Sequence, residues 1–394
     1  MTDATRVVVA TLMSRAGTTG LQTHVREVAE YLTRVKRPVV VVTPMSRAAA
    51  LAAPVFAARL AVEKANGAAG VVWYRVSHQR FLVHALRRAV AGGGEVVIYA
   101  QCPVSARAAL DARTDASQRV VMAVHYDGSQ ADEWVDKGTI AKDGRIYRWI
   151  RHLEETTIPH LDGMVFVSAS ARRSLIRCIP GAERIDSAVV PNFTDPIPPS
   201  ASPFAEAADL VTVGGLELHK NQAYLLDVLA SANRLGRRFT LDVIGEGPTH
   251  KALLGRRAEL GLDDQVRMHG RLPSARPALQ GHRAYVHAAT REAFPYAVIE
   301  AMAAGLPIVA GATGGIPEMV DDGVEGRFWP LDDAGAGARI LIDLLDDEPR
   351  RATTGAAALT RFHAGFDAAV VGPRLERLLV TGVNTPINRS DAGP

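Results

Sequence analysis

Two glutamates eight positions apart, Glu292 and Glu300, bracket an apolar segment in REAFPYAVIEAMAAGLPIVAGATGGIPEMV, residues 291–320. The segment opens at Pro295, whose fixed φ and missing N–H suit the first turn of a helix. Gly305 followed by Pro307 marks that helix's end. One glutamate therefore precedes a helix and the other rides on it, about two turns along. Backbone N–H groups of Phe294, Tyr296 and Ala297 at such a start, with the positive end of the helix dipole, favour a phosphate. Carboxylates are acceptors, so sugar hydroxyls are their natural partners. Gly314 and Gly315 read as a second tight turn, and Pro317 and Glu318 open another helix. A nucleotide sugar would satisfy all of these features. The plain alternative is a loop glutamate and a second one on a solvated helical face, and the rest of the chain has to decide between them.

The elements around this stretch alternate as strand, glycine turn and helix. RVVVATL at 6–12 is a β-branched run, followed by a loop with Gly17, Thr18, Thr19 and Gly20 and a helix from Leu21 to about Arg34. Further strand signals fall at 38–43, 70–74, 95–100 and 119–125, so a first parallel sheet of five strands is expected. The Ala-rich stretch 47–64 reads as a helix that starts or kinks at Pro54. His125 stands at the carboxyl end of its strand, where ligands of parallel sheets bind, and reads as a donor to a sugar hydroxyl or a neutral contact in the cleft, the alternative being a strand-end histidine satisfied by backbone. WVDKGTIAKDG at 134–144 reads as a loop over the site. TDPIPPSASP at 194–203 is a Pro-rich linker.

After the linker a second α/β unit begins. Gly214 and Gly215 turn into a helix from Asn221, with Lys220 at its mouth. A lysine there opposes the helix dipole, so a bound anion is the economical explanation and an exposed, flexible lysine the alternative. Gly245 and Gly247, and then Gly270 with Arg271, follow the next two strands. Glycines repeated at one sheet edge place a ligand against backbone there. The expected fold class is thus α/β with two Rossmann-like doubly wound domains, 1–195 and 205–381, joined by a linker at 196–204 and facing a cleft, with a disordered tail at 382–394.

Composition narrows the function classes. Lys+Arg 45 against Asp+Glu 42 leaves a net charge of +3, which implies no nucleic-acid partner. Cys102 and Cys178 stand far apart without a CxxC, which suits a reducing cytoplasmic setting and no structural zinc. No uncharged apolar stretch approaches the roughly 20 residues of a membrane span. RFLVHALRRAV at 80–90 and ARRSLIR at 171–177 are basic and amphipathic, which leaves a peripheral contact with an inner membrane surface open, although a solvated face is the default reading.

With these residues in view, the chain resembles the retaining glycosyltransferases of family 4, of GT-B architecture, from Arg6 to about Thr381. The paired-glutamate stretch carries the resemblance, and VPNF at 190–193, VGGLELHKNQ at 213–222 and IGEGP at 244–248 add to it. The resemblance implies that Glu292 contacts the donor sugar, Glu300 the ribose, and the backbone near Phe294 and Pro295 the diphosphate. It further implies that Lys220 neutralises the diphosphate, that the Gly20 loop approaches donor and acceptor, and that His125 contacts the transferred sugar. Gly215 departs from the family, which often has Arg there; Arg271 and His219 are the candidates to replace that charge. The implied reaction moves a hexose-type sugar from a nucleoside diphosphate donor to a carbohydrate, lipid-linked or small-molecule hydroxyl. No cofactor is expected, and no Asp-x-Asp spacing marks a metal site. The rivals are a sugar phosphorylase, a nucleotide-sugar epimerase and a non-catalytic nucleotide-sugar binding subunit.

Overall fold

The computed structural model describes residues 5–14, 17, 19–46, 49–198, 203–204 and 206–382. The 383–394 tail, Thr18 of the first glycine loop and 199–202 of the linker lie outside the described residues. The chain divides into two compact units, one of residues 1–17, 21–191 and 371–394, the other of 18–20 and 192–370.

The first unit alternates β1 (Arg6–Ala10), α1 (Gly20–Arg34), β2 (Val39–Val42), α2 (Ala49–Ala65), α3 (Gly67–Val90), β3 (Val96–Ala100), α4 (Pro103–Ala112), β4 (Gln118–Val124), α5 (Gln130–Asp136), α6 (Arg145–Thr157), β5 (Gly163–Phe166), α7 (Ala169–Cys178) and β6 (Ser187–Val189). All its strands pair in parallel, in the order β2-β1-β3-β4-β5-β6. Val7, Val8 and Val9 of β1 and Val97 and Ile98 of β3 are fully buried, as expected of parallel strands covered on both faces.

Residues 70–74 are not the strand that their β-branched and aromatic run suggests. They lie inside α3, whose start is capped by Asn66, with its side chain accepting from the Ala69 N–H. The buried positions Val71, Arg75, His78, Leu82, Ala85, Leu86 and Val90 recur at three- and four-residue intervals. That helical period is hidden in the sequence because an arginine and a histidine occupy two of its apolar-side positions. Pro54 stands inside α2 rather than at its start. Nor is 134–144 a bare loop: Trp134 to Asp136 finish α5, Trp134 and Val135 pack against a core of Val71, Ala131, Ile140 and Ile150, and Lys142 pairs with Asp132 at 2.5 Å.

The second unit contains β7 (Leu210–Val213), α8 (Gln222–Arg234), β8 (Leu241–Ile244), α9 (His250–Glu259), β9 (Val266–Gly270), β10 (Ala284–His287), α10 (Tyr296–Ala303), β11 (Ile308–Ala310), β12 (Gly326–Phe328), α11 (Ala334–Asp346) and α12 (Glu348–Gly365). Its parallel sheet runs β12-β11-β10-β7-β8-β9. The order reverses between β7 and β10, the topological switch point at which open α/β sheets bind ligands. Thr194 bridges to Asp367, so the chain joins this unit before the expected linker.

The last helix, α13 (Ala368–Thr381), corrects the expected end of the second domain at 381. From Val371 onward the chain belongs to the first unit. Arg37 binds Glu376 through Nε and Nη2, Arg119 donates to the carbonyls of Leu379 and Val380, and Gly372 leaves room for the Tyr31 ring. Among the described residues no helix is long and apolar enough to cross a membrane.

Candidate functional site

The paired-glutamate stretch lies at the carboxyl end of β10, beside the switch point. The strand ends at His287, whose carbonyl accepts from the buried Trp329 indole N–H, and the chain then crosses Ala288 and Ala289 to Glu292. The Glu292 side chain is 10% exposed. Its Oε1 accepts from the Lys220 ammonium and lies 3.1 Å from His287 Nε2. Burial alone would raise the Glu292 carboxyl; the Lys220 charge and the His287 hydrogen bond outweigh it and hold the group down at about 2. Both contacts fall on Oε1, so Oε2 keeps its lone pairs for another donor.

Each member of this trio is held by backbone. Lys220 ends a short 3-10 turn, Leu218–Lys220, tied to the β10 loop where the Thr290 N–H donates to the His219 carbonyl at 2.8 Å. Asn221 follows in the left-handed region (φ +52°), and α8 starts at Gln222. The Glu292 carboxylate is thus the anion that a lysine at this helix mouth calls for, and the expectation of a flexible surface lysine does not hold. On the far side Gly314 adopts φ +54°, and a Cβ there would collide with the Glu292 carbonyl oxygen, which the Gly315 N–H binds at 3.2 Å. Only glycine fits, so the second glycine turn clamps the glutamate's backbone.

Pro295 caps α10 without a side-chain hydrogen bond, and Glu300 lies half-buried on that helix between Ile299 and Ala301, which face the core. Phe294 is buried edge-to-face against Phe366, and its carbonyl accepts from the Asn192 side chain at 2.7 Å. Tyr296 is also buried. Gly215 is exposed, with its carbonyl bound by the Gln222 amide. Gly245 and Gly247 have a reason of their own: a Cβ on either would strike the backbone at Gly214 or Leu216. The loops after β7 and β8 lie backbone to backbone, joined from Leu216 N–H to the Glu246 carbonyl and from Thr249 N–H to the Leu216 carbonyl. Gly270 (φ +66°) receives the Gly245 N–H on its carbonyl. Arg271 pairs with Glu246 at 3.6 Å, both more than half exposed, and His219 lies 3.4 Å from Glu217.

Gly20 opens α1 at the surface. In the first unit His125 follows β4, with Nε2 3.0 Å from Gln101 Oε1 and its ring edge-on to His24 at 4.3 Å. The Gln101 amide nitrogen donates to the Tyr99 carbonyl, so Oε1 is the acceptor and His125 Nε2 carries the proton. Burial, and then the neighbouring His24, push the His125 pKa well below the ordinary histidine value, leaving a neutral ring.

Sequence reasoning brought Glu292, Lys220 and Glu300 forward and passed over His287, although it stands at a strand end as His125 does. Nor does the sequence mark Asn192 and Gly314 as the residues that hold Phe294 and Glu292.

Residues 18–197 match the model of Glycosyltransferase Family 4, and residues 196–361 that of Glycosyl transferases group 1. The chain belongs to the family 4 glycosyltransferases. Within the family, it is 29% identical over 232 residues to a phosphatidyl-myo-inositol mannosyltransferase of Mycolicibacterium smegmatis, covering 56% of this chain and 57% of that protein. It is 31% identical over 140 residues to a subunit of the phosphatidylinositol N-acetylglucosaminyltransferase of Arabidopsis thaliana, covering 34% and 31%. The matched segments thus span less than two thirds of these relatives. The GT-B fold recurs in a sucrose-phosphate synthase from Thermosynechococcus elongatus (TM-score 0.74, 16% identity, 95% of this chain and 98% of that one). It recurs again in Anabaena HepE, solved with UDP-glucose (0.69, 18%, 95% and 99%).

Proposed function

We propose that this family 4 protein moves a hexose-type sugar from a nucleoside diphosphate donor to a hydroxyl acceptor, with retained anomeric configuration and without a metal. The observation that carries the reading is the Glu292–Lys220–His287 trio, clamped by the second glycine turn at the switch point of the second sheet. An ammonium has three donors, and Glu292 takes one, so Lys220 keeps donors for a departing diphosphate while remaining anchored. Glu292, ionised throughout the neutral range, presents Oε2 to a sugar hydroxyl. Glu300, on α10, accepts from ribose hydroxyls, and the first turn of that helix meets the diphosphate. The strand-end glycines Gly215, Gly245, Gly247 and Gly270 let the nucleotide approach backbone. Sugar departure and acceptor attack occur on one face, with the leaving phosphate taking the acceptor proton, so no side-chain nucleophile is needed. The nucleotide-sugar complex of the Anabaena neighbour supports the donor class.

A binding subunit without turnover is the second reading, favoured by the exposed Gly215, where no cation assists the leaving group. Thermal shift with UDP, GDP, ADP and dTDP sugars, followed by product analysis across acceptors, tests both. Nucleotide release tied to a glycoside of retained configuration is expected. Free isomerised sugar, or binding with no turnover on any acceptor, would overturn transfer.

A further inference from the structure

The first unit buries an arginine whose best hydrogen-bonding edge is empty. Arg75, on α3, is 3% exposed. Its Nη1 donates to Gln130 Oε1 at 3.1 Å, while Nε and Nη2 are buried without a partner. Those two nitrogens share one side of the guanidinium, the side that binds an oxyanion in a fork. Elsewhere in this chain that edge holds a carboxylate: Arg37 on Glu376, Arg256 on Asp227 and Arg267 on Asp242. At Arg75 it holds nothing, and a buried unpaired guanidinium is among the most costly groups a fold can carry.

The surroundings repeat the pattern. Tyr126, 4% exposed and one residue beyond His125, buries a hydroxyl without a partner, and Asp127 Oδ1 is likewise unpartnered. Tyr126, Tyr74, Cys102 and Glu154 are all within electrostatic reach of Arg75. Glu154 does not fill the fork: its oxygens accept from the Ser129 hydroxyl at 2.6 Å and the Gln130 N–H at 2.8 Å, and burial raises its pKa to about 7. Arg151 Nη1 lies 3.8 Å from the same carboxyl, so whatever charge Glu154 carries is shared between Arg151 and Arg75. The Trp149 ring lies 5.9 Å from the guanidinium carbon and is 36% exposed.

We infer that Arg75 and Tyr126 form an acceptor subsite for a phosphate group on a polyol, Arg75 taking phosphate oxygens through Nε and Nη2, Tyr126 adding its hydroxyl, and Asp127 accepting a polyol hydroxyl. The inference rests on the transferase reading and names the chemistry of its acceptor. The phosphate belongs either to a free phosphorylated polyol or to a lipid headgroup.

The full chain is titrated with glycerol 3-phosphate by calorimetry and thermal shift, and sedimented with phosphatidylcholine vesicles with and without phosphatidylglycerol. Arg75→Gln and Tyr126→Phe are compared, with nucleoside diphosphate binding measured in parallel. Expected is a response of the native chain to glycerol 3-phosphate, to the anionic vesicles or to both, the responding arm giving the source. That response is lost in Arg75→Gln and about tenfold weaker in Tyr126→Phe, with nucleotide binding unchanged in both. Tyr126→Phe removes only an unpartnered hydroxyl, so it folds at least as well as the native chain and keeps the test decisive if Arg75→Gln does not fold. Nucleotide binding with no response to either phosphate source, or a Tyr126→Phe variant that binds as tightly as the native chain, overturns the subsite and leaves the transferase reading standing. Absence of nucleotide binding instead overturns the transferase reading.

Discussion

Glu292 is caught between burial, which favours its neutral form, and Lys220 and His287, which favour its anion. Its folded pKa of about 2 lies below the ordinary 4.5. Its contribution to stability is therefore complete above pH 4.5 and is lost as pH falls from there toward 2, a change of roughly 3 kcal/mol. Denaturant titrations between pH 5 and pH 2 should show this slope in the native chain and a flatter one in Glu292→Gln. The same variant keeps the side chain's shape but offers Lys220 no charge, and transfer should fall by roughly 10²- to 10⁴-fold. Near-native turnover by product assay would remove Glu292 from the chemistry. The glutamates were legible because a carboxylate on each side of a Pro-started helix is a local pattern. His287 was not: what singles it out is a 3.1 Å contact with Glu292 inside a folded loop, and nothing in a strand's last residue announces that.

Among the elements, the strand-end loops of the second unit and the helices α2 and α3 of the first behave differently. The loops are fixed by backbone contacts that only glycine permits. Gly314→Ala would add a Cβ against the Glu292 carbonyl and place alanine at φ +54°, where the left-handed conformation alone costs about 1–2 kcal/mol. We expect a melting point lower by several degrees and weakened nucleotide binding, both read by thermal shift, because the displaced loop carries Glu292. In α3 the physics is burial of a polar side chain. His78 stacks on Phe56 at 4.2 Å and lies tilted against Tyr74 at 4.2 Å, and burial, then Arg59, lower its pKa to about 4. The unfolded chain takes up the proton near 6.5, so stability is full above that pH and declines as pH falls from 6.5 toward 4. His78→Phe should remove this slope from an acid melt. This helix was misread as containing a strand for the same reason: an apolar stripe interrupted by Arg75 and His78 looks non-periodic, although both residues are buried. The parallel strands were legible because runs such as VVVA and VVIYA are covered on both faces and need no polar alternation.

At the scale of the whole molecule, the chain returns its last helix to the unit it started from. No sequence signal marks this, since an amphipathic helix carries the same pattern whichever core receives it, and 381 was the natural place to end the second domain. The contacts show what the return contributes. Val371, Leu375, Leu378 and Leu379 of α13 are all buried, at about 1.5–3 kcal/mol each for a fully buried side chain. Two arginines of the first unit, Arg37 and Arg119, bind the helix by side chain and by backbone. A chain ending at Val370 would expose the apolar surface under α13 and leave the Arg119 guanidinium without its two carbonyls. Its loss should exceed that of any single surface substitution, since four apolar anchors go together. Scanning calorimetry of the truncated chain should show the transition of the first unit lowered by many degrees or absent, while the transition of residues 192–370, whose Thr194–Asp367 bridge and sheet are retained, stays near its native temperature. Arg119→Ala gives the graded version, with a smaller drop confined to the first transition. If both transitions fell equally on truncation, α13 would be stabilising the chain as one cooperative body rather than the unit whose side chains it touches.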